Sequence, residues 1–319
     1  MSSPAAAPVK PAAARGSRRP RGGGGGIRVA PYVFLAPFII LFLVFILLPI
    51  VLALYTSFFQ TQRSGLGFGG ANDKQFVWFA NYAQAFADSA FVESFGRVLL
   101  FGVVQVPVML LISLVLALLF DSAVVRWKRF FQLSVFLPYA VPSVVAALIW
   151  GFLYQPKVSP IVEGLASIGI SVDFLSPDNV LWSLANISVW SVVGVNMIIL
   201  FSSLQTVPRE MYEAARIDGA GEFRMALQIK VPMILPALVL TTLFSIIGTL
   251  QLFNEPMTMR SVTSNISGSY TPNMAVFSST TLGGDINIGS AMAIIIGLVT
   301  FVLSVSISAV SNRKKGSAK

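Results

Sequence analysis

Apolar residues along this chain gather into long uncharged runs separated by short polar stretches, the pattern of helices that cross a bilayer. The first run, Val33 to Leu54, holds 22 residues without a charge. As a helix rising about 1.5 Å per residue it reaches roughly 33 Å, enough for the hydrocarbon core. It is too long for a signal-peptide apolar region and is read as a retained span. The same pattern predicts six spans, at about residues 30–58, 94–120, 131–154, 181–204, 233–254 and 288–310. Gln105 and Pro107 interrupt the second, and Pro138 and Pro142 lie inside the third. A proline inside a span kinks it and frees a carbonyl for a neighbouring helix to satisfy. The loops at 60–93, 155–180 and 255–287 read as irregular. Residues 1–28, rich in Ala, Pro, Gly and Arg and closing with the run Gly22 to Gly26, cannot bury enough apolar surface to fold. The expected organisation is a disordered basic tail at 1–28, one six-helix transmembrane domain at 29–312, and a second basic tail at 313–319. The fold class is an all-α polytopic membrane protein.

Composition agrees with that reading. The chain is 55% hydrophobic and 11% charged, against roughly 45–50% and about 25% for soluble domains. It has no Cys and no His, so disulfides, thiolate chemistry, the commonest metal ligand and the commonest general base are all missing, and neither a metal site nor an intramembrane hydrolase is expected. The glycine run is not followed by Gly-Lys-Ser/Thr, nor does that triplet occur elsewhere, so no phosphate-binding loop is present and the chain is not itself an ATPase.

The net charge of +9 is a matter of topology. The N-terminal tail carries six basic residues, the 121–130 loop three, the 208–232 stretch four and the C-terminal tail four, against five on the other side. Lys and Arg favour the cytoplasmic face, so both termini and the 208–232 stretch are expected there, in the plasma membrane of a bacterial-type cell. Basic groups scattered over separate segments beside a bilayer are no nucleic-acid surface.

The longest polar run between two spans is Pro208 to Pro232, with eight charged residues. Pro208 suits a first helical turn and Gly219 a stop, with a second short helix from about Glu222 to Ile229. At 100° per residue Arg209, Glu213 and Arg216 share one face, and Met211, Ala214 and Ala215 the opposite one.

Glu213-Ala214-Ala215, three residues, Gly219, nine residues, then Ile229-Lys230-Val231-Pro232 resembles the EAA motif of ABC-transporter permease subunits. That pattern is EAA, three, G, nine, I-x-L-P, and the one departure is Val231 in place of Leu. Asp218-Gly219-Ala220, Leu204-Gln205-Thr206-Val207-Pro208 and Phe136-Leu137-Pro138-Tyr139-Ala140-Val141-Pro142 are similar to the maltose-type sugar-importer branch. Two loops depart from that branch: Ser159 to Glu163 stands where Gly-x-x-Asn is frequent, and Glu255-Pro256 where Gly-Gly-Pro is. The resemblance implies a type I importer permease fold and a non-catalytic membrane subunit. It implies pairing with a second, different permease, two ATPase subunits that bind ATP and Mg, and an extracytoplasmic binding protein that delivers the solute. It assigns ATPase coupling to Glu213, Ala214, Ala215, Asp218, Gly219, Ile229 and Pro232. The cargo it implies is a carbohydrate, with a polyol, a sugar phosphate or an amino acid as alternatives.

Polar groups inside spans are candidates for the solute path. Asn186 and Trp190 lie within about 40° of Met197 on a helical wheel, with Asn196 flanking that stripe. An amide and an indole suit a sugar's hydroxyls and apolar face, and equally suit interhelical packing. Gln251, Asn254 and Glu255 cluster at the end of the fifth span and complete the candidates. Thr241, Ser245 and Gly248 read as a close-packing stripe. The contrasting class is an ion-coupled secondary transporter, which often carries charged relays at span centres and internal repeats; neither is evident.

Overall fold

The computed structural model describes residues 29–62, 73–122 and 125–316. The expected N-terminal tail, the glycine-rich part of the first loop and residues 317–319 lie outside the described residues. The chain divides into two units, 1–49 and 50–319. In the first, Val29–Phe42 is helical and passes into a π-helical turn at Leu43–Leu47. The span-length apolar helix of this region is Pro31–Ser57.

The second unit opens with an element the sequence did not predict. Residues expected to be irregular form an antiparallel hairpin, Phe59–Gln62 with Asp73–Phe76. Asn81 holds it by donating to the carbonyls of Ser57 and Phe59, both at 2.8 Å. Span two follows as an unbroken 33-residue helix, Ser89–Asp121. It starts five residues before the expected point because the Asp88 carboxylate caps it, accepting from the N–H groups of Ala90 and Phe91 at 3.0 and 3.3 Å. Pro107 lies inside the helix without ending it.

Span three departs most from expectation. Instead of one kinked helix over 131–154 there are two, Lys128–Ala140 and Ser143–Leu153, at 98° to one another. The break falls between the prolines: Leu137–Ala140 tightens into a 3₁₀ turn and Val141 is extended. Spans four and six are Val180–Leu204 and Ile286–Gly316. Span five is Leu235–Leu250, followed after a short break by Asn254–Met259. Among the described residues five helices are long and apolar enough to cross a bilayer, and the bent pair makes six when counted as one span. Short helices also occupy two loops expected to be irregular, at Pro160–Ser167 and Pro272–Phe277.

Spans two and four form the largest helix–helix contact of the fold. Ser113 of span two donates to the carbonyl of Val193 at 3.0 Å. At the next residue, Gly194, the broken third span comes against span four. A Cβ there would lie 2.2 Å from the Val135 carbonyl oxygen and 2.7 Å from the Phe136 Cα. Around this contact the buried residues fall into groups. Phe120, Met197, Leu200, Leu204 and Ile234 fill one end of spans two, four and five. Phe101, Ala146, Ala147, Leu184, Ile187 and Met259 fill the other end.

Gly194→Ala is therefore expected to lower the melting temperature of the detergent-purified protein, since overpacking of this kind costs about 1–3 kcal/mol. Gly297→Ala is the control, because a Cβ there meets nothing within 4 Å. Equal melting of the two variants would show that span four tolerates a side chain at the contact.

Candidate functional site

The polar stretch after span four folds as a helix, a turn and a second helical run. Pro208 is extended (ψ 135°) and precedes the first helix, Arg209–Ile217. The turn after it is a Schellman motif. Ala220 N–H donates to the Ala215 carbonyl at 2.9 Å, Gly219 N–H to that of Arg216 at 3.0 Å, and Gly219 has φ +78°. A side chain is strained at that φ whatever the space around it, so the glycine expected from the sequence is required by the turn. The second run begins at Glu222 and does not stop before Pro232. It passes through a π turn, Ala226–Lys230, into Val231–Met233.

The two expected faces of the first helix hold in part. Glu213 and Arg216 are exposed, Ala215 is buried, but Ala214 and Met211 are exposed. Asp218 and Pro232 are exposed and Ile229 is half-buried. Ile217 and Phe223 are 87% and 79% exposed, two large apolar side chains presented within a polar segment.

Lys230 differs from the other seven charged residues of this stretch, which are exposed. It is buried, and its Nζ lies 2.7 Å from the Asp121 carboxylate at the end of span two. The other Asp121 oxygen accepts from Gln205 Nε2 at 2.9 Å, Gln205 being the residue that closes span four. Lys230 Nζ stands 5.1 Å from the centre of the Tyr212 ring on the first helix and 3.9 Å from Glu222 on the second. Glu222 in turn pairs with Arg216 at 3.0 Å, an exposed contact. Burial and then the Asp121 charge push the Tyr212 phenol above its usual pKa, so it stays neutral at physiological pH. Sequence reasoning missed Asp121 altogether; the signal was a lone acidic residue at the end of an apolar run.

A cavity of about 550 Å³ opens between spans two, four and five, with Tyr139 of the broken span on its wall. Asn196, Gln251, Asn254 and Glu255, four of the six candidates from the sequence, line it. So do four residues that sequence reasoning left out of the path: Gln105, Ser188, Ser245 and Thr249. Ser245 and Gly248, read as packing groups, face this space, while Thr241 of the same stripe is buried. Thr249 Oγ1 donates to the Gln105 side-chain oxygen at 3.1 Å. The amides of Gln105 and Asn196 both rest against the Met109 sulfur, at 3.5 and 3.4 Å. Thioether sulfur is a weak acceptor, so these amides stay available to a stronger one.

The fourth-span stripe is split. Asn186 donates to the Tyr154 hydroxyl at 2.8 Å and lines a second cavity, of about 450 Å³, with Trp150, Phe174 and Trp182. Trp190 packs edge to face on Trp150, ring centres 5.9 Å apart, and lines neither cavity. Asn186 and Asn196 are ten residues apart, roughly 15 Å along a helix. A helical wheel, on which they stand about 80° apart, also ignores that height.

Gly219→Val is expected to cost about 1–2 kcal/mol in the turn, the price of a left-handed residue with a side chain. Limited proteolysis between the two short helices should speed up, and an unchanged cleavage rate would show that the turn finds another conformation without strain.

Residues 109–314 match the family described as the binding-protein-dependent transport system inner membrane component. Over 294 residues the chain is 32% identical to the sulfoquinovosyl glycerol transport system permease protein SmoG of Agrobacterium fabrum, covering 89% of this chain and 90% of that protein. It is 33% identical over 210 residues to the sn-glycerol-3-phosphate transport system permease protein UgpA of Salmonella choleraesuis, covering 66% and 69%. Its fold matches a chain of a bacterial alginate ABC transporter, solved in complex with an alginate pentasaccharide-bound periplasmic protein, with a TM-score of 0.77 at 19% identity over 89% of this chain and 94% of that one. The helical architecture is thus that of a type I importer permease, which sets aside the ion-coupled alternative, and the chain belongs to the binding-protein-dependent transport system inner membrane component family of ABC-transporter permeases.

Proposed function

We propose that this chain is one of two permease subunits in an ATP-driven carbohydrate importer. A second, different permease completes the path. Two ATPase subunits, carrying ATP and Mg, dock on the 209–230 segment, and an extracytoplasmic binding protein delivers the solute. The observation that carries the reading is the joining of two features in one chain. A polar cavity lies between spans two, four and five, and the polar segment bearing Glu213 leaves Ile217 on its first helix and Phe223 on its second run exposed. The distribution of basic residues supports a cytoplasmic location for both termini, with the bent pair counted as one crossing.

Within this reading Glu213 makes a charge-assisted contact with a basic group of the ATPase, and Ile217 and Phe223 fill apolar positions beside it. Gln105, Asn196, Gln251, Asn254 and Glu255 meet the solute. Amides and a carboxylate on a wall that also holds Phe101, Tyr139 and Phe253 suit a polyhydroxylated ring, with hydroxyls on the polar groups and the apolar ring face on the aromatics. The named cargoes of SmoG and of the alginate transporter support a sugar. That of UgpA supports a second cargo reading, a polyol or sugar phosphate.

The test is purification from native membranes in mild detergent, followed by uptake in proteoliposomes holding the whole complex. An ATPase is expected to copurify. Glu213→Ala should weaken its docking by about 1–3 kcal/mol if the pair is desolvated and by well under 1 if it stays wet. Asn196→Ala should lower uptake with assembly intact. Recovery of the chain alone, active without ATP, would sink the proposal. Competition of uptake by neutral sugars against sugar phosphates separates the two cargoes.

A further inference from the structure

The cytoplasmic-side end of this fold has a joint. Lys230 is the only charged residue in the fully buried set among the described residues, and its partner Asp121 has a side chain just 9% exposed. Five elements meet at this pair. Asp121 ends span two, Gln205 closes span four, Tyr212 belongs to the first cytoplasmic helix and Glu222 to the second. Lys230 itself leads into span five.

Three of these elements, spans two, four and five, are the ones that line the large cavity, through Gln105, Asn196 and Ser245. The remaining two make up the segment that the proposed function gives to the ATPase. The carbonyl ends of spans two and four both lie at the pair, where a cation is favoured by the helix dipoles. Separating buried opposite charges is costly, because each loses its partner without regaining water. Elements joined by such a pair move together, or the pair breaks.

We propose that the Asp121–Lys230 ion pair is the joint through which displacement of the 209–230 segment reaches the three helices around the cavity. Asp121 and Lys230 are positioning residues and touch neither solute nor nucleotide. Gln205 and Tyr212 fix the geometry, one by its hydrogen bond to the carboxylate, the other by its ring beside the ammonium. The exposed Arg216–Glu222 pair has side chains more than half exposed and is too well solvated to transmit force in this way.

This inference rests on the permease reading above, and its test separates the two. The chain lacks cysteine, so Ser245→Cys places a single thiol of this chain on the cavity wall. The whole complex is purified, and the rate of maleimide labelling of this chain is compared with and without MgATP and vanadate. With the joint intact, nucleotide should change the rate by about fivefold or more, the usual size of a coupling between sites. In Ser245→Cys carrying Asp121→Asn or Lys230→Met, the ATPase should still copurify while the nucleotide response is largely lost. The exchanged pair, Asp121→Lys with Lys230→Asp, should regain part of it.

A full nucleotide response in both single variants overturns the joint. So does loss of ATPase copurification in the single variants and the exchanged pair alike, which would make the ion pair a support for folding. A Ser245→Cys complex with no ATPase, or with no response to nucleotide while the pair is intact, would instead overturn the permease reading and this inference with it.

Discussion

A bilayer core holds no water for a polypeptide backbone to bond, and every feature of this fold answers to that constraint. Each N–H and C=O at that depth needs an internal partner, so long helices are the default and breaks are tolerated only inside the protein. The breaks here obey it. Between the halves of the third span the Val141 N–H still reaches the Pro138 carbonyl, and Ala146 N–H that of Pro142. After span five the helix gives way at Gln251 to Phe253, and the Leu252 carbonyl is taken by Thr271 Oγ1 at 2.9 Å from a distant loop. Both breaks border the large cavity, which Tyr139 and Gln251 line. Irregular backbone is thus found where side chains must be turned toward an interior space.

The same constraint explains how much of the fold was legible in the sequence. Six apolar runs separated by charges can hardly be anything but helices across a membrane, and their approximate limits follow from length alone. Prolines 138 and 142 announced a disturbance in the third run. The angle of 98° is a property of packing: it depends on span four offering a glycine where Val135 and Phe136 lie against it. No local signal at residues 131–154 carries that. The hairpin at 59–76 was missed for a related reason, since its pairing is closed by Asn81, which lies beyond both strands.

The candidate sites were legible to different depths. Gly219 follows from backbone sterics and stands where the turn needs it. Gln251, Asn254 and Glu255 lie at a span end, and proximity in sequence became proximity in space. Ser245 and Gly248 read as packing groups in the sequence because small residues on one helical face fit either role, and only the neighbouring helices decide between a contact and a wall. Lys230 stands at the motif's variable position, where the sequence assigns it no role, and its partner Asp121 lies on a different span.

That last pair also shows how one polar segment separates its charges by depth. Glu213 and Arg216 stay in water, where an ion pair such as Arg216–Glu222 contributes little. Lys230 is withdrawn from water, and its charge is tolerable only because Asp121 stands 2.7 Å away and Gln205 holds that carboxylate in place. The exposed charges can therefore change partners at small cost, and the buried one cannot. A segment built this way holds firmly to its own membrane helices on one side and remains exchangeable on the other, the arrangement that the proposed coupling role requires.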